Sequence, residues 1–208
     1  SRRSFLKGSA AAAAALTSPL LPADAAFSET ENGLFSPVSA LCQTQYGPVK
    51  GREGENGLLC WYGIPYGAAP TGESRWTAPQ EPARWHAVRD CTSPAPAAYQ
   101  YTTFPLGTED CLTLDVYSSS DAKKRPVLVY LHGSAATGSS LELPGSELVR
   151  DAGCVFVALN YRLRLFGWNC LPALTADPDA TGNFALLDIA RALDWVRDNI
   201  RRFGGDAD

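Results

Sequence analysis

Histidine is nearly missing from this sequence: only His86 and His132 occur, and none of the six cysteines stands in a Cys-x-x-Cys pair. That scarcity argues against a zinc or iron–sulfur centre built on the usual ligand spacings. No Gly-x-Gly-x-x-Gly run occurs, so a dinucleotide-binding redox protein has no fingerprint here. Basic charge is not in excess: 18 Lys and Arg against 22 Asp and Glu leave a net charge of −4. Without a positive field nothing drives phosphate-backbone binding, which excludes nucleic acid as a partner. The apolar run from Ala10 to Leu16 is far short of the roughly 20 residues a bilayer core requires, so no stable membrane span is expected. Methionine is absent altogether, and no internal repeat appears beyond the N-terminal region.

What is present is material for a core. Hydrophobic residues make up 45% of 208 and charged residues 19%, which fits one globular domain or part of a larger one. The 18 glycines and 15 prolines suit a loop-rich α/β or mixed fold better than a helical bundle.

The first 25 residues read as an address. Arg2-Arg3 and Lys7 precede the apolar run, and a small-x-small boundary, Ala23-Asp24-Ala25, closes the segment. A positive start, a short apolar stretch and such a boundary are the parts of an export signal. Paired arginines followed by Phe5-Leu6-Lys7 resemble the bacterial twin-arginine signal. The expected partner of this segment is therefore the twin-arginine export machinery, and the expected location is periplasmic or secreted. The cysteines at 42, 60, 91, 111, 154 and 170 suit an oxidising compartment, although six cysteines allow 15 pairings among which sequence does not choose. Cys154, ahead of Val155-Phe156-Val157, reads as a buried thiol.

Residues 70 to 110 carry six prolines and should be mostly irregular. Leu112, Leu114 and Val116 alternate with Thr113, Asp115 and Tyr117, the pattern of a half-buried strand. Val127 to Leu131 is a continuous apolar run, the signature of a fully buried strand, and Val155 to Leu159 is another. A short helix is expected around Ser146 to Ala152 and a long one from Asn183 to Phe203. In the latter, Leu186, Ile189, Leu193, Val196, Ile200 and Phe203 step along one face. Asp188–Arg191, Asp194–Arg197 and Asp198–Arg202 form ladders on the other, before a left-handed stop at Gly204-Gly205. Buried strands interleaved with helices argue for an α/β sheet.

The chemistry lies in Val129-Tyr130-Leu131-His132-Gly133-Ser134, a strand opening into a loop of small residues. Such a loop turns backbone N–H groups toward a developing oxyanion. With four further segments, this one resembles the type-B carboxylesterases, the cholinesterase-like branch of the α/β-hydrolases. Those segments are Gly63-Ile64-Pro65-Tyr66 with Arg75-Trp76-x-x-Pro79; Glu109-Asp110-Cys111-Leu112 through Tyr117; Leu159-Asn160-Tyr161-Arg162 with Phe166-Gly167; and Gly182-Asn183 through Phe203-Gly204-Gly205-Asp206. The resemblance implies the N-terminal part of an α/β-hydrolase fold, a mixed sheet flanked by helices, over residues 26–208. It also implies Gly133 and Ser134 as the oxyanion-hole amides, and no metal or organic cofactor.

Within that pattern Gly63, Pro65 and Asn160 read as turn and packing positions. Arg162 is expected to pair a buried carboxylate, Asp188 to be solvated or locally paired, and His86 to lie at the surface. His132 is not expected to be the triad base. No Gly-x-Ser-x-Gly occurs, so the domain is expected to end before the nucleophile elbow, with the Ser-His-Asp/Glu triad outside the chain. The loop His132-Gly133-Ser134-Ala135-Ala136-Thr137-Gly138 is one residue shorter than the family's and lacks its Gly doublet and aromatic. A left-handed backbone at Ser134 would be strained. The family's partner cysteine for Cys111 usually sits just before a Gln, where this chain has Tyr99-Gln100; by resemblance, Cys91 substitutes and pairs with Cys111. The function so implied is hydrolysis of small-molecule carboxylic esters by the complete parent, with this stretch inactive alone. The alternative is a non-catalytic cholinesterase-like module or a degenerate gene fragment.

Overall fold

A computed structural model of the chain describes residues 38–143, 145–171 and 182–208. The export signal, with Arg2-Arg3 and the Ala23–Ala25 boundary, lies outside the described residues. Among the described residues ten strands follow one another: β1 (Leu41–Gln43), β2 (Pro48–Lys50), β3 (Arg52–Glu53), β4 (Leu58–Pro65), β5 (Arg89–Asp90), β6 (Gln100–Tyr101), β7 (Pro105–Leu106), β8 (Thr113–Ser119), β9 (Val127–Tyr130) and β10 (Val155–Leu159). The same residues hold the helices α1 (Gly145–Ala152), the single turn α2 (Arg164–Gly167) and α3 (Phe184–Asn199). A 3₁₀ turn, Ile200–Phe203, continues α3, and Gly204 stops it at φ 84°.

The main sheet has the order β3-β4-β8-β10-β9. Its strands are antiparallel from β3 to β10, and only β10 and β9 run parallel, with Val157 opposite Val129. A smaller sheet, β1-β2-β5, and the hairpin β6-β7 complete the strands. The mixed α/β architecture expected from sequence is therefore present, and the proline-rich stretch is indeed mostly irregular between its two-residue strands.

Each face of the main sheet has its own cover. On one, α1 closes a cluster of Cys60, Tyr117, Val149, Phe156 and Ala158. On the other, Trp61, Val116 and Val157 meet Trp195, Val196, Ile200 and Phe203. The Phe203 ring stands edge-on to Trp61 with centroids 4.8 Å apart, a favourable aromatic geometry. The helix therefore has to be amphipathic, and the strands beneath it have to be apolar on both faces.

Three sequence expectations are corrected by this packing. The alternating strand β8 is not half-buried; it is the centre of the sheet, and Asp115 and Tyr117 are as enclosed as Leu114 and Val116. Conversely, the apolar run at β9 is not fully buried. It pairs with β10 alone among the described residues, and Leu128 is 47% exposed. The third correction concerns α3. Its buried side is Phe184, Ala185, Asp188, Ala192, Trp195, Val196 and Asn199, whereas Leu186 and Leu193 face outward. Of the expected stripe, Val196, Ile200 and Phe203 are buried and Ile189 packs against the core, so the expectation fails at Leu186 and Leu193, where Asp188 and Ala192 are buried instead. Asp188 is thereby buried rather than solvated. Of the expected ladders, Asp194–Arg197 forms at 2.7 Å, while Arg191 reaches Glu81 instead.

The disulfide expected between Cys91 and Cys111 is not formed, and all six cysteines are free thiols. The two side chains lie in different surroundings. Cys91 follows β5, donating its N–H to Lys50 and accepting that of Tyr62 on β4. Cys111 instead has Arg162 and Asp188 as its strongest charged neighbours.

Candidate oxyanion loop

The loop leaves the exposed end of β9 and is organised around a slot for one ring. His132 is buried and stacks on Tyr161, centroids 4.2 Å apart and planes 8° from parallel. The Tyr161 hydroxyl donates to the His132 carbonyl at 2.6 Å, which fixes the strand end as well as the ring. Gly138 closes the slot: a Cβ there would lie 2.2 Å from His132 Nδ1. Burial pushes the His132 imidazole below the ordinary histidine range, so the ring is neutral at neutral pH. Its Nε2 has no hydrogen-bond partner in the structure. Such a ring serves as a spacer between Tyr161 and Gly138.

Gln100, buried on β6, grips the far end of the loop with both ends of its amide. Its Nε2 donates to the Gly138 carbonyl at 2.9 Å and its Oε1 accepts the Gly138 N–H at 3.0 Å. Near the loop's middle, Arg164 donates its N–H to the Ala135 carbonyl at 2.8 Å and its Nε to the Ala136 carbonyl at 2.9 Å. Between the fixed His132 and the Arg164 contacts lie Gly133 and Ser134, both exposed. Neither N–H donates to an acceptor among the described residues. Ser134 does adopt the left-handed backbone, at φ 75°, a conformation costing a non-glycine residue about 1–2 kcal/mol. Its Oγ accepts the Ala136 N–H at 3.1 Å and so helps hold the turn.

Beneath the loop the sheet is tied by polar side chains. Asn160 accepts the Ser140 N–H at 2.9 Å and donates to the Ser140 hydroxyl, while its carbonyl receives the Tyr66 hydroxyl at 2.6 Å. Gly63, at φ 65° within a register shift of β4, gives its N–H to Asp115 Oδ1 at 2.8 Å. Gly63 and Asn160 are thus turn and packing residues, as read from sequence. Arg75 and Glu109, from separate sequence segments, meet in a bidentate pair.

Asp115 Oδ2 has no partner, and burial pushes this carboxyl up to about 6 against the pull of Ser140 and Gly63. The unfolded chain therefore releases this proton near pH 3.8, before the folded one does, so the group subtracts stability as pH rises through that window. Asp115→Asn is expected to match the parent at pH 4 and exceed it by up to about 3 kcal/mol above pH 7, the figure set by 1.36 kcal/mol per pKa unit. Urea unfolding at the two pH values measures it; an equal difference at both would refute the account.

Sequence reasoning singled out Gly133, Ser134 and His132. It missed the roles of Gln100, noted only for its missing cysteine neighbour, and of Tyr161 and Arg164, whose contacts come from distant segments. Among the described residues no cluster of three metal-ligating side chains converges, and no helix is long and apolar enough to cross a membrane.

Similarity to known proteins runs along most of the chain. A family model described as the carboxylesterase family matches residues 38–208, and one for the twin-arginine translocation pathway signal matches residues 1–19. The para-nitrobenzyl esterase of Bacillus subtilis (strain 168) is 41% identical over 177 residues, covering 79% of this chain and 36% of that protein. The fumonisin B1 esterase of Sphingopyxis macrogoltabida is 36% identical, covering 78% and 32%. Among solved structures, a PNB esterase superposes with TM-score 0.74 at 41% identity, over 81% of this chain and 36% of that one. A Geobacillus stearothermophilus carboxylesterase gives the same TM-score at 36% identity over the same shares of the two chains. The chain spans about a third of the length of these relatives.

Proposed function

Because the chain belongs to the carboxylesterase family, and its signal marks it for export to the periplasm or beyond, we propose that it forms the oxyanion-binding part of an exported carboxylic-ester hydrolase. The nucleophilic serine, the histidine and the acid then belong to sequence beyond Asp208, since no Gly-x-Ser-x-Gly occurs in these 208 residues. In this reading a small-molecule ester sits over the loop. The serine oxygen attacks the ester carbonyl as the histidine takes the serine proton. The carbonyl oxygen becomes an oxyanion and receives the N–H groups of Gly133 and Ser134. Collapse of the adduct expels the alcohol, which takes the proton from the histidine, and water repeats the sequence to release the acid.

The observation supporting this reading is the pair of exposed N–H groups without acceptors on a loop held at both ends. Preorganised donors of that kind stabilise charge only as it develops, which is what acceleration requires. The left-handed Ser134 in a loop without a Gly doublet favours a second reading, a non-catalytic module of the same family.

One assay separates the two. The full-length protein is expected to hydrolyse p-nitrophenyl acetate with saturable turnover that a serine-directed phosphonate abolishes. Residues 1–208 alone are expected to give none. A full-length protein inert to both reagents would establish the non-catalytic reading, and phosphonate-sensitive turnover by residues 1–208 would overturn the placement of the triad.

A further inference from the structure

We propose that Arg164 is a positioning residue that sets the oxyanion loop, an inference resting on the reading of that loop as an oxyanion hole. Arg164 opens α2 with φ 50°, one of five non-glycine residues at positive φ among the described residues. A glycine would adopt this conformation freely, whereas a residue with a Cβ is strained there. The residue held there makes contacts that offset the strain. Its backbone N–H reaches the Ala135 carbonyl, while the side chain sends Nε to the Ala136 carbonyl and a terminal nitrogen to the Tyr101 carbonyl at 2.6 Å.

These contacts act on the orientation of peptide groups. The backbone N–H of Arg164 draws the Ala135 carbonyl and the guanidinium Nε draws the Ala136 carbonyl, so the peptide planes on both sides of Ala136 are fixed and the Ala136 N–H is directed at Ser134 Oγ. That bond stabilises the left-handed turn in which Gly133 and Ser134 leave their N–H groups unengaged. The bracing also closes on itself. Tyr101, whose carbonyl takes the guanidinium, follows Gln100, whose amide grips Gly138 at the loop's other end. The two-residue strand β6 therefore anchors the loop at two points. Only a forked donor spans the Ala136 and Tyr101 carbonyls at once; a lysine keeps the charge but offers a single point.

The strain makes the proposal separable from a general structural role. Arg164→Gly relieves the left-handed backbone while removing the fork, so melting temperature is expected to hold or rise while catalysis falls. In the full-length protein, kcat for p-nitrophenyl acetate is expected to drop about 10–100-fold with KM within roughly threefold. Binding of a trifluoromethyl ketone, which forms a tetrahedral oxyanion adduct, should weaken in parallel. Arg164→Lys should follow Arg164→Gly, which separates the fork from the charge. Amide exchange at residues 133–138 should quicken in Arg164→Gly whether or not the protein turns over. An inert parent would therefore remove the catalytic reading while exchange still judged the brace. Unchanged exchange, kcat within twofold of the parent, or a fall in kcat matched by a fall in melting temperature would each overturn the proposal.

Discussion

Replacing Asp188 by alanine is expected to destabilise the protein by about 3–5 kcal/mol, the cost of leaving a buried charge without its partner. Asp188 is fully buried and Arg162 is 2% exposed. The carboxylate accepts three N–H groups from one residue: the Arg162 backbone at 3.1 Å, Nε at 2.8 Å and a terminal nitrogen at 2.7 Å. The remaining side of the guanidinium donates to the Thr77 carbonyl and lies over the Phe184 ring, 5.2 Å from its centroid. Asp188→Asn keeps an acceptor for the backbone N–H and should lose less. Replacing both partners, Arg162→Met with Asp188→Leu, should lose less than the sum of the single changes, because no unpaired charge remains. Urea midpoints with unchanged m-values measure all of these. A loss under 1 kcal/mol for Asp188→Ala would mean that water reaches the guanidinium.

The second large effect is expected at Gly138. An added methyl would stand 2.2 Å from His132 Nδ1 and 2.7 Å from its Cγ, at φ 141°. The ring cannot retreat, because Tyr161 is stacked behind it. The backbone must yield instead, and the Gly138 peptide is the one gripped by Gln100. Gly138→Ala should therefore displace the donors and lower kcat/KM of the full-length protein by about 10²–10³, the range seen when one oxyanion donor is removed. His132→Ala in the same chain empties the slot and should recover part of that loss, whereas on its own it should cost activity. Ester hydrolysis by Gly138→Ala within threefold of the parent would refute the slot account.

The sequence motifs located the loop before any coordinate was known, since a strand running into small residues has a chemical reading of its own. They did not reveal which side chains shape it. Gln100 and Arg164 act on carbonyls 38 and 28 positions away in the chain. Hydrophobic pattern likewise reported the elements but not their depth. Alternation at β8 mimicked a wet face because Asp115 is a buried carboxyl, and the apolar stripe along α3 took in Leu186 and Leu193, which face outward. Sequence pairs Arg162 with a buried carboxylate and leaves Asp188 solvated or locally paired, although each is the other's partner. Local pattern carries no information on which distant element supplies a counter-charge.

The buried thiols acquire a further meaning when set beside the export signal. Twin-arginine signals belong to a route that carries proteins already folded, so this chain matures where thiols are kept reduced and meets an oxidising compartment only afterwards. By then Cys42, Cys60, Cys91, Cys111 and Cys154 are enclosed, and burial holds Cys42 and Cys91 up at about 12. A thiol in that state offers almost no thiolate to an oxidant or a disulfide donor. The order of events, folding first and oxidation later, makes the closed core a chemical shelter. Among the described cysteines Cys170 alone stays outside it, a sulfur left for the new environment to find.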